Sequence, residues 1–219
     1  MDKQIKTSVE QKFLTLNVDK QDRIINAAMK EFSYGYKKAS TDAIVREAGI
    51  SKGLLFHYFG TKEHLYEFLV HYTMDMMQTN YFENINLAKR DILESIWQMC
   101  LLKRDISDKH PPIYDFINSV STHMKDNPKA KISSYYAKRN KALMEDLYKN
   151  CDISLFREDV NPQKAIDIIV WGLNSVFEAE EVKKVIVVDT DDESQNRERF
   201  LEELRSYLDM LRLCFYKKK

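Results

Sequence analysis

The eighteen residues Thr41–Tyr58, TDAIVREAGISKGLLFHY, decide the fold. Ile44, Ala48, Ile50, Leu55 and Tyr58 are spaced so that two short helices bury one shared apolar face, joined by a turn at Gly49-Ile50-Ser51. Gly49 stands where most residues would be strained. Ser51, and Ser40 or Thr41, supply hydroxyl caps for the two helix starts. Packing of this kind holds the second helix outward, as in a helix-turn-helix whose second helix enters a DNA major groove. The outward side offers Lys52, Gly53, Leu54 and His57, and Lys37, Lys38, Lys52 and Lys62 flank it where phosphates would lie. A helical hairpin that merely completes a core has the same spacing, so the pattern by itself leaves both readings open.

Working outward, Ile24, Ala27, Ala28 and Phe32 step at helical intervals from Asp19, and Gly35 stops that helix. Gly60 ends the second short helix, and Thr61 caps a long one reaching about Tyr81. Residues 1–18 read as a weakly patterned lead-in of one short helix. Four of the five glycines (Gly35, Gly49, Gly53, Gly60) fall between residues 35 and 60, which marks a cluster of short helices. Further helices are predicted over Leu87–Arg104, from Pro111-Pro112 onward, over Pro128–Asn150, over Pro162–Val187 and over Arg197–Phe215. Cys151–Asn161 reads as a connection and Asp189–Asn196 as an acidic linker, and Val185–Val188 is the one β-like run. About nine or ten helices and no strand make an all-α chain.

The stretch from about Asp22 to Leu69 resembles the N-terminal DNA-binding domain of TetR/AcrR-type transcriptional regulators. The resemblance is carried by AA-x-x-x-F and G-Y around the first helix, by T-x-x-I-x-x-x-A-G-I-S-x-G, and by H-Y-F-x-x-K-x-x-L. It implies a three-helix DNA-binding domain over residues 1–65 and a larger helical ligand-sensing and dimerisation domain over residues 66–219. It also implies that Ser51–Tyr58 is the recognition helix and that Tyr58, Lys62 and Thr41 meet backbone phosphate. The DNA-binding candidates are Lys38, Ser40, Thr41, Ser51, Lys52, Gly53, Leu54, Leu55, His57, Tyr58 and Lys62. Leu54 and Phe56 lack the hydroxyls usual in the family, and Val45 replaces a smaller Ala. Leu54 suits an apolar contact with a thymine methyl.

The remainder supports a partner helix at two places. Leu201, Leu204, Leu208, Leu211 and Phe215 form one strip, and Phe200, Tyr207 and Cys214 a second. Ala165–Phe177 is apolar nearly all round, as in a helix buried on both sides. A homodimer interface is therefore expected to use Ile169, Leu173, Val176, Leu204, Leu208, Leu211 and Phe215. The resemblance implies an effector cavity among the middle helices, for an apolar or aromatic small molecule. Its candidate lining is Tyr72, Met76, Trp97, Met99, Tyr114, Ile117, Tyr136, Asn140, Trp171 and Phe177, residues that would equally serve as core.

Lys+Arg and Asp+Glu are 34 each, which argues against a polybasic protein. Residues 1–62 nevertheless carry a net +4 and the remainder a net −4, so the helix-turn-helix lies in the positive part. Three widely spaced cysteines and the lack of a secretory pattern point to a reduced cytoplasmic protein. No enzyme motif, metal-type histidine pairing or cofactor box is present. His57, His64 and His71 step by seven, but Gly60-Thr61 interrupts their helix. The resulting expectation is a ligand-responsive repressor that binds a palindromic operator as a homodimer. The alternatives are a protein-binding helical module and a DNA-binding regulator without a functional pocket.

Overall fold

Apolar periodicity, hydroxyl caps and glycine stops produce nine α-helices among the described residues. The computed structural model describes residues 12–85, 91–122, 131–186 and 193–218; for 121–122, 131–137, 174, 178–186 and 193–194 it gives backbone alone. The helices are α1 (Val18–Ser33), α2 (Thr41–Ala48), α3 (Lys52–Phe59), α4 (Lys62–Met77), α5 (Ile92–Lys109), α6 (Ile113–Thr122), α7 (Lys131–Asn150), α8 (Pro162–Ile186) and α9 (Glu193–Phe215). A π-helical turn, Gln78–Phe82, continues α4, and a 3-10 turn, Ile153–Leu155, lies between α7 and α8. No strand occurs among the described residues; Phe156 and Tyr216 form an isolated antiparallel bridge. The fold is all-α.

Two boundaries differ from the sequence expectation. Helix α5 runs on to Lys109, where Pro111-Pro112 finally prevents continuation. Glu193–Asn196, read as linker, is already the first turn of α9. The beginning of the lead-in, Pro128 and the expected linker at 189–192 lie outside the described residues.

Packing divides the chain into two units. One comprises residues up to Glu83 together with Asp105–Asn140, and the other Asn84–Arg104 with Lys141–Lys219. The residue-65 boundary read from the sequence falls inside α4, all of which belongs to the first unit.

In the first unit, α1 buries Ile24, Ile25, Ala28, Met29 and Phe32. Phe32 meets Tyr66 of α4 edge-on at 5.1 Å, and Tyr66 meets Phe116 of α6 at 5.9 Å. The Ser119 hydroxyl of α6 donates to the Phe32 carbonyl at 3.1 Å, a second bond to an oxygen that already accepts the Gly35 amide at 2.9 Å at the end of α1. Phe13, in the lead-in, is fully buried among the rings of Tyr58, Phe59 and Phe68. Nothing in the weak pattern of residues 1–18 signalled it beyond its being a lone aromatic.

In the second unit, one core joins Ile92, Leu93 and Ile96 of α5 to Ile166, Ile169 and Leu173 of α8 and to Leu201, Leu204 and Leu208 of α9. Asp91 locks its corner. The carboxylate accepts from the Leu93 and Glu94 amides at the start of α5, from Arg212 at 2.7 Å and from the Tyr216 hydroxyl at 2.8 Å. Burial and the facing Asp91 carboxylate push the Tyr216 phenol far up.

Candidate nucleic-acid interface

The first helix of the pair, α2, is capped by Ser40, whose Oγ accepts the Ala43 amide at 3.4 Å. The Ser40 amide itself donates to the Glu31 carboxylate at 2.8 Å, tying the α1–α2 loop back to α1. Gly49 ends α2 in the left-handed region at φ +65°, which a side chain rarely adopts. Ser51 then caps α3 through Oγ to the Leu54 amide at 3.2 Å. Thr61 caps α4 in the same way at 3.1 Å to the His64 amide. Three hydroxyl caps within one short segment contribute about 1 kcal/mol each and fix where each helix begins.

This geometry turns one face of α3 inward and the other out. Leu55, Tyr58 and Phe59 are buried, whereas Ser51, Lys52, Gly53 and His57 are exposed, with Leu54 and Phe56 between. Lys38 and Ser40 are exposed on the preceding loop, and Thr41 is half-buried in the first turn of α2. Leu55 is a correction to the DNA-binding set: at 1% exposure its side chain belongs to the core behind α3 and cannot reach a base. Tyr58 is also mostly enclosed, its ring 5.9 Å from that of Phe13.

Two lysines have intramolecular partners. Lys52 pairs with Asp42 across the turn at 2.9 Å. Lys62, in the first turn of α4, donates to the Ala39 carbonyl at 2.6 Å and lies 4.8 Å above the Tyr36 ring. Partial burial lowers its pKa against the opposing pull of Glu31. Its ammonium keeps donor capacity for an approaching phosphate while already bracing the 35–40 loop.

Gly53 shows what the fold does not need. Its φ is not positive, and a Cβ built there meets nothing within 4 Å. A glycine in a helix interior costs about 1 kcal/mol relative to alanine, less in a first turn such as this, and no contact among the described residues requires a glycine here.

Residues 24–69, spanning α1 through the middle of α4, match the family model described as "Bacterial regulatory proteins, tetR family". This segment is similar to the N-terminal domain of the tetR family of bacterial regulatory proteins. Two solved structures share the fold over nearly the whole chain. A TetR family transcriptional regulator from Chloroflexus aurantiacus J-10-FL is 15% identical, with a TM-score of 0.53 and coverage of 95% of this chain and 98% of that one. The ketosteroid transcriptional regulator KstR2 of Mycobacterium tuberculosis is 16% identical, with a TM-score of 0.59 and coverage of 93% and 98%.

The other candidate residues are spread over both units. Of the expected cavity lining, Tyr72, Met76, Tyr114, Ile117 and Asn140 belong to the first unit, and Trp97, Met99, Trp171 and Phe177 to the second. The Tyr136 side chain lies outside the described residues. Met76 and Ile117 are buried. Tyr72 uses its hydroxyl on His110, Trp97 is covered by the Arg205 guanidinium at 5.2 Å, and Phe177 packs on Phe200 at 5.7 Å. Trp171 is a correction: 67% exposed, it stands on the surface and lines no cavity.

Of the expected dimer contacts, four are taken up by the core of the chain itself. Ile169, Leu173, Leu204 and Leu208 lie in the core of the second unit, and Leu211 and Phe215 pack against it, with Val176 half-buried. Among the described residues, the large apolar groups left exposed on these helices are Ile168 and Trp171 on α8 and Met210 and Leu213 on α9. Of the second stripe expected on α9, Phe200 and Tyr207 are half-buried and Cys214 is exposed. Gly172, beside Trp171, is exposed in mid-helix, and a Cβ there would also meet nothing within 4 Å. Among the described residues no helix is long and apolar enough to cross a membrane.

Proposed function

We propose that this protein reads a palindromic DNA operator as a homodimer and acts as a repressor released by a small molecule bound in its C-terminal part, with no catalytic activity of its own. In this division of labour residues 1–65 read DNA, and residues 66–219 sense and dimerise. The observation that carries the reading is Gly53. An unforced glycine on the exposed face of α3 is explained by a DNA surface that must come closer than a Cβ allows. Lys52, Leu54 and His57 surround it as base-edge or phosphate contacts, and Lys38, Ser40, Thr41, Ser51, Tyr58 and Lys62 form a phosphate rim. Gly172 supports the dimer by the same logic: it makes room for a second helix against Ile168 and Trp171. The effector would be apolar or aromatic. The protein-binding alternative has no comparable observation behind it.

The test is selection from a random duplex pool followed by titration of the enriched sequence. Gly53→Ala is expected to raise thermal stability, by about 0.4–1 kcal/mol, while weakening binding to the enriched duplex at least about tenfold. Leu54→Thr is expected to enrich a different sequence. A Gly53→Ala protein that binds as tightly as the parent would remove the reading's support.

A further inference from the structure

The His110 ring is fully buried and serves neither the DNA-facing surface nor the core of the second unit. It follows the last turn of α5 and precedes Pro111-Pro112, and its amide donates to the Ile106 carbonyl at 2.9 Å, so the backbone that carries it is fixed. Nδ1 lies 2.7 Å from Asn26 Oδ1 on α1, and Nε2 lies 3.0 Å from the Tyr72 hydroxyl on α4. Asn26 Nδ2 donates to the Lys109 carbonyl at 3.1 Å.

These contacts determine every proton. A carbonyl accepts only, so the Asn26 amide must turn its NH2 to Lys109 and its oxygen to the ring. Nδ1 therefore carries the hydrogen, and Nε2 is left to accept from Tyr72. The charged groups facing the ring are Asp22, 4.0 Å from Nε2, and Lys109, itself 3.9 Å from Asp22. Burial outweighs the attraction of Asp22 and lowers the His110 pKa to about 4, so the ring is neutral near pH 7. The Tyr72 phenol is pushed up to about 12 by burial and by Asp22, and it keeps its proton.

We infer that His110 is a positioning residue for DNA reading, joining α4 to α1 and to the α5–α6 junction through a one-way chain of donors, Tyr72 to His110 to Asn26 to Lys109. Helix α1 is in turn bonded to the helix-turn-helix, through Lys30 to Glu47 and through Glu31 to the Ser40 amide. The ring thus fixes the angle at which the DNA-facing helices sit on α4. This rests on the DNA-reading function proposed above, and the test separates the two.

In 15N-labelled protein the expected histidine signature is a protonated, slowly exchanging Nδ1 and an unprotonated Nε2. The reverse tautomer would overturn the inference. Affinity is then measured, well below each variant's Tm, for the duplex that the wild type enriches from a random pool. His110→Leu is expected to bind about tenfold more weakly while folded, and Tyr72→Phe severalfold more weakly. His110→Gln, which can both donate and accept, is expected to recover binding to within about threefold of wild type. A purely structural role would lower Tm but leave the folded variants' affinity unchanged, and that result refutes the inference. Should His110→Leu fail to fold, Tyr72→Phe decides by the same criterion. If the wild type enriches no duplex, the DNA-reading function fails, and the ring-nitrogen signature still decides whether the chain of donors exists.

Discussion

Lys62 Nζ donates to the Ala39 carbonyl at 2.6 Å, linking the first turn of α4 to the loop that presents Lys38 and Ser40. A residue that resemblance assigns to phosphate is therefore also a brace within the protein. Lys62→Met keeps the stem over Tyr36 and removes every donor. It is expected to weaken binding about tenfold on all duplexes alike and to reduce the dependence of log affinity on log salt by about one. Titrations at several salt concentrations with enriched and scrambled duplexes check both. An unchanged salt slope would mean that Lys62 braces the loop only.

Lys52 is held by Asp42 in an ion pair whose side chains are 52% and 71% exposed. Such pairs contribute little to stability, about 0–1 kcal/mol, so Asp42→Asn is expected to leave Tm nearly unchanged. It also removes a negative charge beside DNA and frees the ammonium. A severalfold gain in affinity, largest at low salt, is the expected outcome. Weaker binding would show that Asp42 aims Lys52 usefully.

Phe13 fills the space between Tyr58, Phe59 and Phe68. Phe13→Ala is expected to destabilise the protein by about 3–5 kcal/mol, measured by denaturant unfolding. Because Tyr58 and Phe59 end α3, DNA binding should weaken even where the protein remains folded.

Trp171 and Leu213 are the most exposed large apolar side chains among the described residues, at 67% and 78%. The double substitution Trp171→Glu, Leu213→Glu is expected to convert a dimer to a soluble monomer in sedimentation velocity and to abolish tight operator binding. Substituting the buried Leu204 should instead destabilise the fold. A dimer that survives the double substitution would place the interface elsewhere.

His110 also gives the pH profile a sign. Its folded pKa lies below the unfolded value, so the unfolded chain binds more protons and this contribution to stability is complete above about pH 6.5. It is lost as the pH falls toward about 4. Melting temperatures of wild type and His110→Gln should converge over that window, and parallel curves would exclude the ring as their cause.

The helix-turn-helix was legible because its signals are local. A cap, a left-handed glycine and an apolar face all fall within three turns of one another, and Ser40, Gly49 and Ser51 do what their chemistry suggests. Which stripe of α8 faces outward was not legible, since Ile168 and Ile169 are alike as residues and differ only in what the rest of the chain covers. Leu55 within the recognition helix is a smaller case of the same limit. The surroundings of His110 were not legible either, because its three partners are Asp22, Asn26 and Tyr72 and no spacing rule joins them to residue 110.

The bond from Ser119 to the Phe32 carbonyl has a consequence for the order in which the protein is made. Its partners are 87 positions apart, and Phe116 closes over Tyr66 from the same helix. A nascent chain that has emerged only through α4 holds the entire family motif, yet it leaves the back of α1 and Tyr66 uncovered. The helix-turn-helix end is therefore expected to mature late in synthesis, when α6 arrives to seal it.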